Sequence, residues 1–245
     1  MQSSEHQKRG IEQDDDSDEG NEPENLQYKV VVLGNGTVGK TSVIMRFCED
    51  YFARSYKQTI GVDFYVKRLE MPGDVQVALQ VWDIGGQSIF GKMIQTYIYE
   101  ANAIVFVYDI TNQQSFQDLD DWLNLVKKAF EGKELPLLIM MGNKIDLVHM
   151  QAVKTDQHEA FAKFNKFHSC YYVSAKTGDQ IAQCFFKIAA DLAGIEVPKS
   201  TMEGIVQKQV KAEIQVGHSQ NVDSEPRAED KLQNAKKKDG GCIMF

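Results

Sequence analysis

Residues 34–41 read Gly34-Asn35-Gly36-Thr37-Val38-Gly39-Lys40-Thr41, which matches the pattern Gly-x4-Gly-Lys-Ser/Thr at every fixed position. A β-branched run, Tyr28–Leu33, precedes this segment, and a helical pattern, Thr41–Asp50, follows it. Glycines let a backbone wrap closely around phosphates, and the start of the next helix adds partial positive charge. A chance glycine-rich turn is the alternative. The strand before the segment and the helix after it favour a loop that binds the phosphates of a nucleotide.

Apolar segments on the C-terminal side of this loop alternate between strand and helix patterns. The turn tripeptide Pro72-Gly73-Asp74 separates two extended segments and predicts a hairpin. The expected strands are Tyr28–Leu33, Val62–Met71, Val75–Trp82, Ala103–Tyr108, Leu137–Met141 and Cys170–Val173. The expected later helices are Ser115–Glu131, Asp156–His168 and Asp179–Ala193, with Ser115 and Asp179 as N-caps of two of them.

This alternation predicts an α/β fold. We expect the P-loop NTPase form, with a six-stranded, mostly parallel sheet, one antiparallel edge strand and helices on both faces. Parallel strands end at a common edge, where such folds bind their ligands.

Two short motifs follow strands that end at that edge. Asn143-Lys144-Ile145-Asp146 follows Leu137–Met141, and Ser174-Ala175-Lys176 follows Cys170–Val173. An aspartate carboxylate can accept two N–H bonds from guanine N1 and N2, whereas adenine offers no such pair. Either motif alone is weak, since Asn-Lys-x-Asp could also cap a helix. Both motifs after a phosphate loop predict a guanine nucleotide.

Residues 28–195 resemble a small GTPase of the Ras superfamily. Asp83-x-x-Gly86 followed by Gln87 matches the second switch of that family, while Phe52 and Thr59 fall where the family packs the base and completes the Mg²⁺ shell. The resemblance implies slow hydrolysis of GTP to GDP, with Lys40 and Gln87 as catalytic groups and Mg²⁺ as cofactor. The implied Mg²⁺ ligands are Thr41, Thr59 and, through water, Asp83. The implied nucleotide contacts are Gly34, Asn35, Gly36, Thr37, Val38, Gly39, Lys40, Thr41, Ser42, Phe52, Tyr56, Thr59, Gly86, Asn143, Lys144, Asp146, Ser174, Ala175 and Lys176.

Within the superfamily, Ile60–Phe64 and Val107–Thr111 resemble Rab proteins, most closely the divergent Rab-twenty-eight branch. Phe64, Trp82 and Tyr97 match the aromatics with which Rab proteins meet effectors. The second switch departs from the usual Trp-Asp-Thr-Ala-Gly-Gln-Glu, since it reads Trp82-Asp83-Ile84-Gly85-Gly86-Gln87-Ser88. The resemblance implies a molecular switch in membrane or vesicle trafficking, at cilia or endosomes. The rivals are a GTP-binding scaffold with little hydrolysis and a nucleotide kinase.

Composition divides the chain into three parts. Residues 1–27 hold nine acidic residues against two basic ones, so most of the net charge of −8 lies there and the remainder is close to neutral. A near-neutral domain does not predict nucleic-acid binding. We expect a disordered acidic extension at 1–27, a GTPase domain at 28–196 and a hypervariable tail at 197–245.

The C-terminal residues resemble a lipidation signal. Cys242 is fourth from the end of the sequence, and Lys236–Lys238 precede it, so we expect prenylation supported by a polybasic patch. The choice between farnesyl and geranylgeranyl stays open. The expected location is the cytoplasmic face of membranes, with a cytosolic pool. The expected partners of this monomer are an exchange factor, a GTPase activator, a prenyl-binding chaperone and effectors. Apolar residues between Met202 and Ile214 have mostly helical spacing, which fits either a docking helix or a frayed segment.

Overall fold

A computed structural model describes residues 25–86, 93–198 and 200–205. Its six strands form one sheet in the order β2-β3-β1-β4-β5-β6. The hairpin partners β2 and β3 are antiparallel, and every other neighbouring pair is parallel. This arrangement confirms the predicted fold class. The strands are β1 (Asn25–Leu33), β2 (Val62–Met71), β3 (Val75–Ile84), β4 (Ala103–Asp109), β5 (Leu137–Asn143) and β6 (Ser169–Val173).

Helices cover both faces of the sheet. They are α1 (Lys40–Glu49), α2 (Ile94–Ile98), α3 (Gln113–Gln117), α4 (Leu119–Ala129), α5 (Thr155–Phe164) and α6 (Ile181–Ala193), with a 3-10 segment at Ile145–Met150. Side chains alternate along β1, so that Val30 and Val32 join a core with α1 and α6. Val31 and Leu33 face the opposite core, which contains residues of α2, α4 and α5. Among the described helices, none is both long and apolar enough to cross a bilayer.

The strands are longer than their apolar runs predict, and the extra residues matter for the site. β3, β4 and β5 continue past the expected ends to Ile84, Asp109 and Asn143. Ladder hydrogen bonds join backbone atoms, so a polar side chain does not end a strand that still has a paired neighbour. The polar residues Asp83, Asp109 and Asn143 therefore lie within strands at the carboxyl edge. β1 begins at Asn25, three residues before the predicted start.

Several predicted helix boundaries are wrong. The expected helix Ser115–Glu131 is two helices, α3 and α4, which meet at Asp118. Asn112 caps α3, since its side-chain oxygen accepts from the backbone N–H groups of Gln114 and Ser115. Ser115 is buried inside that helix, and its hydroxyl donates to the Asn112 carbonyl.

The two later helices are shorter than expected. The N-cap position of α6 is Gln180 in the left-handed conformation, so Asp179 does not cap it. α5 ends at Phe164, four residues before the expected end at His168, and Lys166 then takes a positive φ of 56°. The short helix α2 and the 3-10 segment were not predicted.

Part of the C-terminal segment contacts the domain. Residues 200–205 are helical, and the side chains of Met202 and Ile205 pack against the core that contains α1 and α6. The docking interpretation therefore holds for these residues. The remainder of the predicted helix, to Ile214, lies outside the described residues.

His158 of α5 is a buried titratable group. It is 1% exposed, its Nδ1 atom hydrogen-bonds with Tyr108 Oη at 2.8 Å, and its ring stacks on Tyr172 at a centroid distance of 4.3 Å. Its Nε2 atom has no hydrogen-bond partner among the described residues. Burial lowers the pKa of His158 to about 4.

Acid should therefore destabilise the fold through His158. Below pH about 6.5 the unfolded histidine binds a proton that the folded one does not, so the free energy of unfolding should fall by about 3 kcal/mol between pH 6.5 and 4. Urea unfolding at several pH values in this range measures the change. In His158→Gln the free energy of unfolding should depend less on pH, because glutamine stays neutral and can still hydrogen-bond with Tyr108. The exposed His149 provides the control His149→Gln, which should behave as the wild type. Identical pH profiles for wild type and His158→Gln would contradict this assignment.

Candidate functional site

The loop between β1 and α1 is organised around a buried lysine. Lys40 begins α1 and is 6% exposed, and its Nζ atom donates to the carbonyl oxygens of Gly34 and Asn35, both at 2.8 Å. Burial lowers the pKa of Lys40 to about 8, and the nearby negative charge of Asp83 opposes that shift. At neutral pH the ammonium group is therefore mostly charged. It supplies positive charge beside backbone N–H groups at the start of a helix, which is a suitable site for phosphate.

Three oxygen-bearing side chains meet beside this loop. The hydroxyls of Thr41 and Thr59 lie 2.8 Å apart, Thr41 donates to Asp83 Oδ2, and Thr59 lies 3.4 Å from the same oxygen. Asp83 is fully buried, and burial raises its pKa while the Thr41 hydrogen bond and Lys40 lower it. Its Oδ1 atom has no hydrogen-bond partner among the described residues. Hydroxyl and carboxylate oxygens are ligands that Mg²⁺ prefers, so this cluster and its unpaired oxygen fit that ion.

The paired glycines of the second switch bring three loops into direct contact. Gly85 donates its N–H to the Gly61 carbonyl at 2.9 Å, and a Cβ atom at Gly85 would lie 2.6 Å from the Thr59 carbonyl oxygen. A Cβ atom at Gly86 would overlap the backbone of Asn35 and Gly36. Both positions therefore require glycine for this close approach of backbones.

Side chains of the Asn-Lys-x-Asp motif hold the other side of the phosphate loop. Asn143 is 1% exposed, and its amide donates to the Val38 carbonyl at 2.9 Å and accepts from the Ala175 N–H at 3.1 Å. Lys144 donates to the Thr37 carbonyl at 3.0 Å and pairs with Asp109 at 2.6 Å. The two motifs and the loop are thus joined into one structure.

The carboxylate of Asp146 lies at the outer part of this structure. Its Oδ1 atom accepts from the hydroxyl of the buried Ser174 at 2.7 Å, and Lys176 Nζ lies 3.5 Å from its Oδ2 atom. Arg46 of α1 donates to the carbonyl oxygens of Ala175 and Lys176 at 3.0 and 2.8 Å, which fixes the loop after β6. A carboxylate held in this way is ready to accept a pair of N–H donors.

The remaining predicted site residues have different settings. Val38 is buried in the core, Ser42 is half-buried in the first turn of α1, and Phe52 packs against the core that contains α1 and α6. Tyr56 is 68% exposed, and its side chain forms no hydrogen bond with the described residues. Gln87, Cys242 and Lys236–Lys238 lie outside the described residues.

Comparison with known proteins assigns the family. A family model described as "Ras family" matches residues 29–193. The chain is 41% identical to "Ras-related protein Rab-28" of Caenorhabditis elegans over 194 residues, which cover 79% of this chain and 78% of that protein. It is 37% identical to "Ras-related protein Rab-30" of Homo sapiens over 167 residues, which cover 67% of this chain and 79% of that protein. The chain belongs to the Ras family of small GTPases.

This membership establishes the reaction and the type of switch. The protein is a Rab-type small GTPase that hydrolyses GTP to GDP. A permanently loaded scaffold is not favoured, because the relatives belong to a family of GTP-hydrolysing enzymes.

The sequence motifs missed several side chains that support the site of this GTPase. Asp109 holds Lys144, and Arg46 holds the loop after β6. Asp109 directly follows a predicted strand, which is a signal that could have been used. Arg46 carries no such signal, because its partners are backbone carbonyls more than a hundred residues away.

Removal of the Asn143 amide should leave the fold unchanged but make it less stable. In Asn143→Ala the Val38 carbonyl and the Ala175 N–H both lose a buried partner, so the free energy of unfolding should fall by about 2–4 kcal/mol. Chemical unfolding measures this change. The control is Asn165→Ala, because the Asn165 amide makes longer hydrogen bonds of 3.3 and 3.4 Å near the surface. Equal effects of the two substitutions would show that Asn143 does not join these loops.

Proposed function

We propose that the residues of this site carry out a magnesium-dependent GTPase cycle in which two loops report the presence of the γ-phosphate. The observation that carries the proposal is the meeting of Thr41, Thr59 and Asp83 beside the ammonium group of Lys40. Thr41 belongs to the phosphate loop, Thr59 to the loop between α1 and β2, and Asp83 to β3. A single ion held by these groups would join all three segments.

Different groups of the chain bind the phosphates and promote hydrolysis. Lys40 and the N–H groups of residues 34–41 neutralise the β- and γ-oxygens, while the Gly86 N–H holds the γ-phosphate. Gln87 orients a water for attack, so that a bond forms from water oxygen to γ-phosphorus as the bond to the bridging oxygen breaks. The bridging oxygen stays on GDP with the electron pair of the broken bond. One water proton stays on the attacking oxygen, and the other ends on a second oxygen of the released phosphate. Thr41, Thr59 and Asp83 would hold Mg²⁺, which when bound would supply positive charge to the phosphate oxygens.

Guanine selectivity is assigned to Asp146. Its two oxygens accept from guanine N1 and N2, with Ser174 and Lys176 holding the carboxylate in place. Asn143 and Lys144 connect this motif to the phosphate loop, because their side chains donate to the Val38 and Thr37 carbonyls. A base without the paired N–H donors would leave the half-buried carboxylate unsatisfied, which makes the selectivity steep.

The switch and its membrane attachment complete the proposal. After hydrolysis the Thr59 and Gly86 loops lose the phosphate that both contact, so effectors can distinguish the two states. Prenylation of Cys242, with the basic residues Lys236–Lys238 as a second signal, places the GTPase on the cytoplasmic face of membranes with a cytosolic pool. An exchange factor, a GTPase activator and a prenyl-binding chaperone would then control its role in vesicle trafficking.

The catalytic role of Gln87 can be tested by single-turnover hydrolysis. In Gln87→Leu the rate with a GTPase activator should fall at least about 10-fold, since the attacking water loses its orienting group. GTP affinity should remain close to that of the wild type, because the side chain acts on water. The control Gln95→Leu changes an exposed residue of α2 and should hydrolyse GTP normally. An unchanged rate in Gln87→Leu would mean that the unusual Ile84-Gly85 sequence places catalysis on another group.

A further inference from the structure

The side chain of Asn35 in the phosphate loop has a role that the loop motif does not include. The motif requires only the backbone at this position. Here the Asn35 amide nitrogen donates to Asp118 Oδ2, and its amide oxygen accepts from Trp122 Nε1 at 2.9 Å. Both partners lie where α3 meets α4, more than eighty residues away along the chain.

The partners of Asn35 are themselves fixed in place. Trp122 is fully buried in the core that contains α2 and α4, so its indole N–H has a set position and direction. The second carboxylate oxygen of Asp118 accepts from Gln114 Nε2 at 2.7 Å. The amide of Asn35 thus lies between a fixed donor, Trp122, and a fixed acceptor, Asp118. If the amide flipped, both hydrogen bonds would be lost.

The backbone of Asn35 meets two groups of the proposed phosphate site. Its carbonyl oxygen accepts from Lys40 Nζ at 2.8 Å, and Gly86 approaches it so closely that a Cβ atom there would overlap it. A shift of Asn35 would therefore move an acceptor of Lys40 and the neighbouring N–H of Gly36. Such N–H groups bind phosphate well only when they already point at it.

We propose that Asn35, Asp118 and Trp122 form a side-chain pin that presets the phosphate loop for nucleotide. Asn35 is a positioning residue in this network, and its amide is suited because it donates and accepts at once. The inference rests on the proposed phosphate site of residues 34–41 and adds to it the residues that hold that site in shape.

Exchange of the two polar partners tests the pin. In Asn35→Asp two carboxylates face each other, so dissociation of a fluorescent GDP analogue in Mg²⁺ should become at least about 10-fold faster. Asp118→Asn alone should stay within about 3-fold of the wild type, because the exposed Gln114 can turn its own amide to suit. The double variant Asn35→Asp with Asp118→Asn restores every donor–acceptor pair, with the roles of the two residues exchanged. Its dissociation rate should return to within about 3-fold of the wild type.

A matched control separates the pin from a general charge effect. Asp120 lies two residues further along the chain and is exposed, so Asn35→Asp with Asp120→Asn removes the same charge without repairing the network. This variant should stay as fast as Asn35→Asp. If Asn35→Asp alone does not give folded protein, recovery of folded protein with Asp118→Asn but not with Asp120→Asn supports the same conclusion.

Three results would overturn the pin. In the first, Asn35→Asp releases the GDP analogue at the wild-type rate. In the second, the double variant with Asp118→Asn releases it as fast as Asn35→Asp alone. In the third, Asp120→Asn slows release from Asn35→Asp as much as Asp118→Asn does. In each, the wild type binds the GDP analogue and the proposed phosphate site stands. A wild-type chain that does not bind the analogue would contradict the phosphate site itself, and the inference with it.

Discussion

The buried ammonium group of Lys40 is the interaction on which the rest of the site depends. A buried charge is costly unless it is paired and hydrogen-bonded, and here two backbone carbonyls and the charge of Asp83 supply the partners. These bonds draw the loop of residues 34–41 around the amine. The amine therefore lies against the same loop that we propose binds phosphate.

Side chains from distant segments then fix the loop on several sides. Asn143 and Lys144 bind the carbonyls of Val38 and Thr37, and Gly86 packs on the opposite end of the loop. The sheet makes these contacts possible, because parallel strands bring β1, β3, β4 and β5 to one edge. The helices contribute through their ends, as Asp118 and Arg46 show.

The sequence predicted the fold class because apolar segments with strand and helix patterns alternate along the chain, although the short helix α2 and the 3-10 segment were not among them. It also predicted the loop and both base motifs, since their chemistry needs particular residues at fixed spacing. It did not predict Asp118, Trp122 or Arg46, because a side chain whose partners lie more than eighty residues away leaves no local pattern. The wrong N-caps have a related cause. Asn112, Ser115 and Asp179 are all acceptable caps by residue type, and tertiary packing chooses among them.

The most direct test of the account is the dependence of nucleotide release on Mg²⁺. The central claim is that Thr41, Thr59 and Asp83 act together as one ion site, which joins the phosphate loop to the loop before β2 and to the end of β3. The measurement is release of a fluorescent GDP analogue from wild type and Thr41→Ala, each with Mg²⁺ and with a chelator. We expect the chelator to accelerate release from the wild type at least about 10-fold and to have little further effect on Thr41→Ala. The ion site would be contradicted if the chelator did not change the rate of release from the wild type. It would also be contradicted if the chelator accelerated release from Thr41→Ala as much as from the wild type.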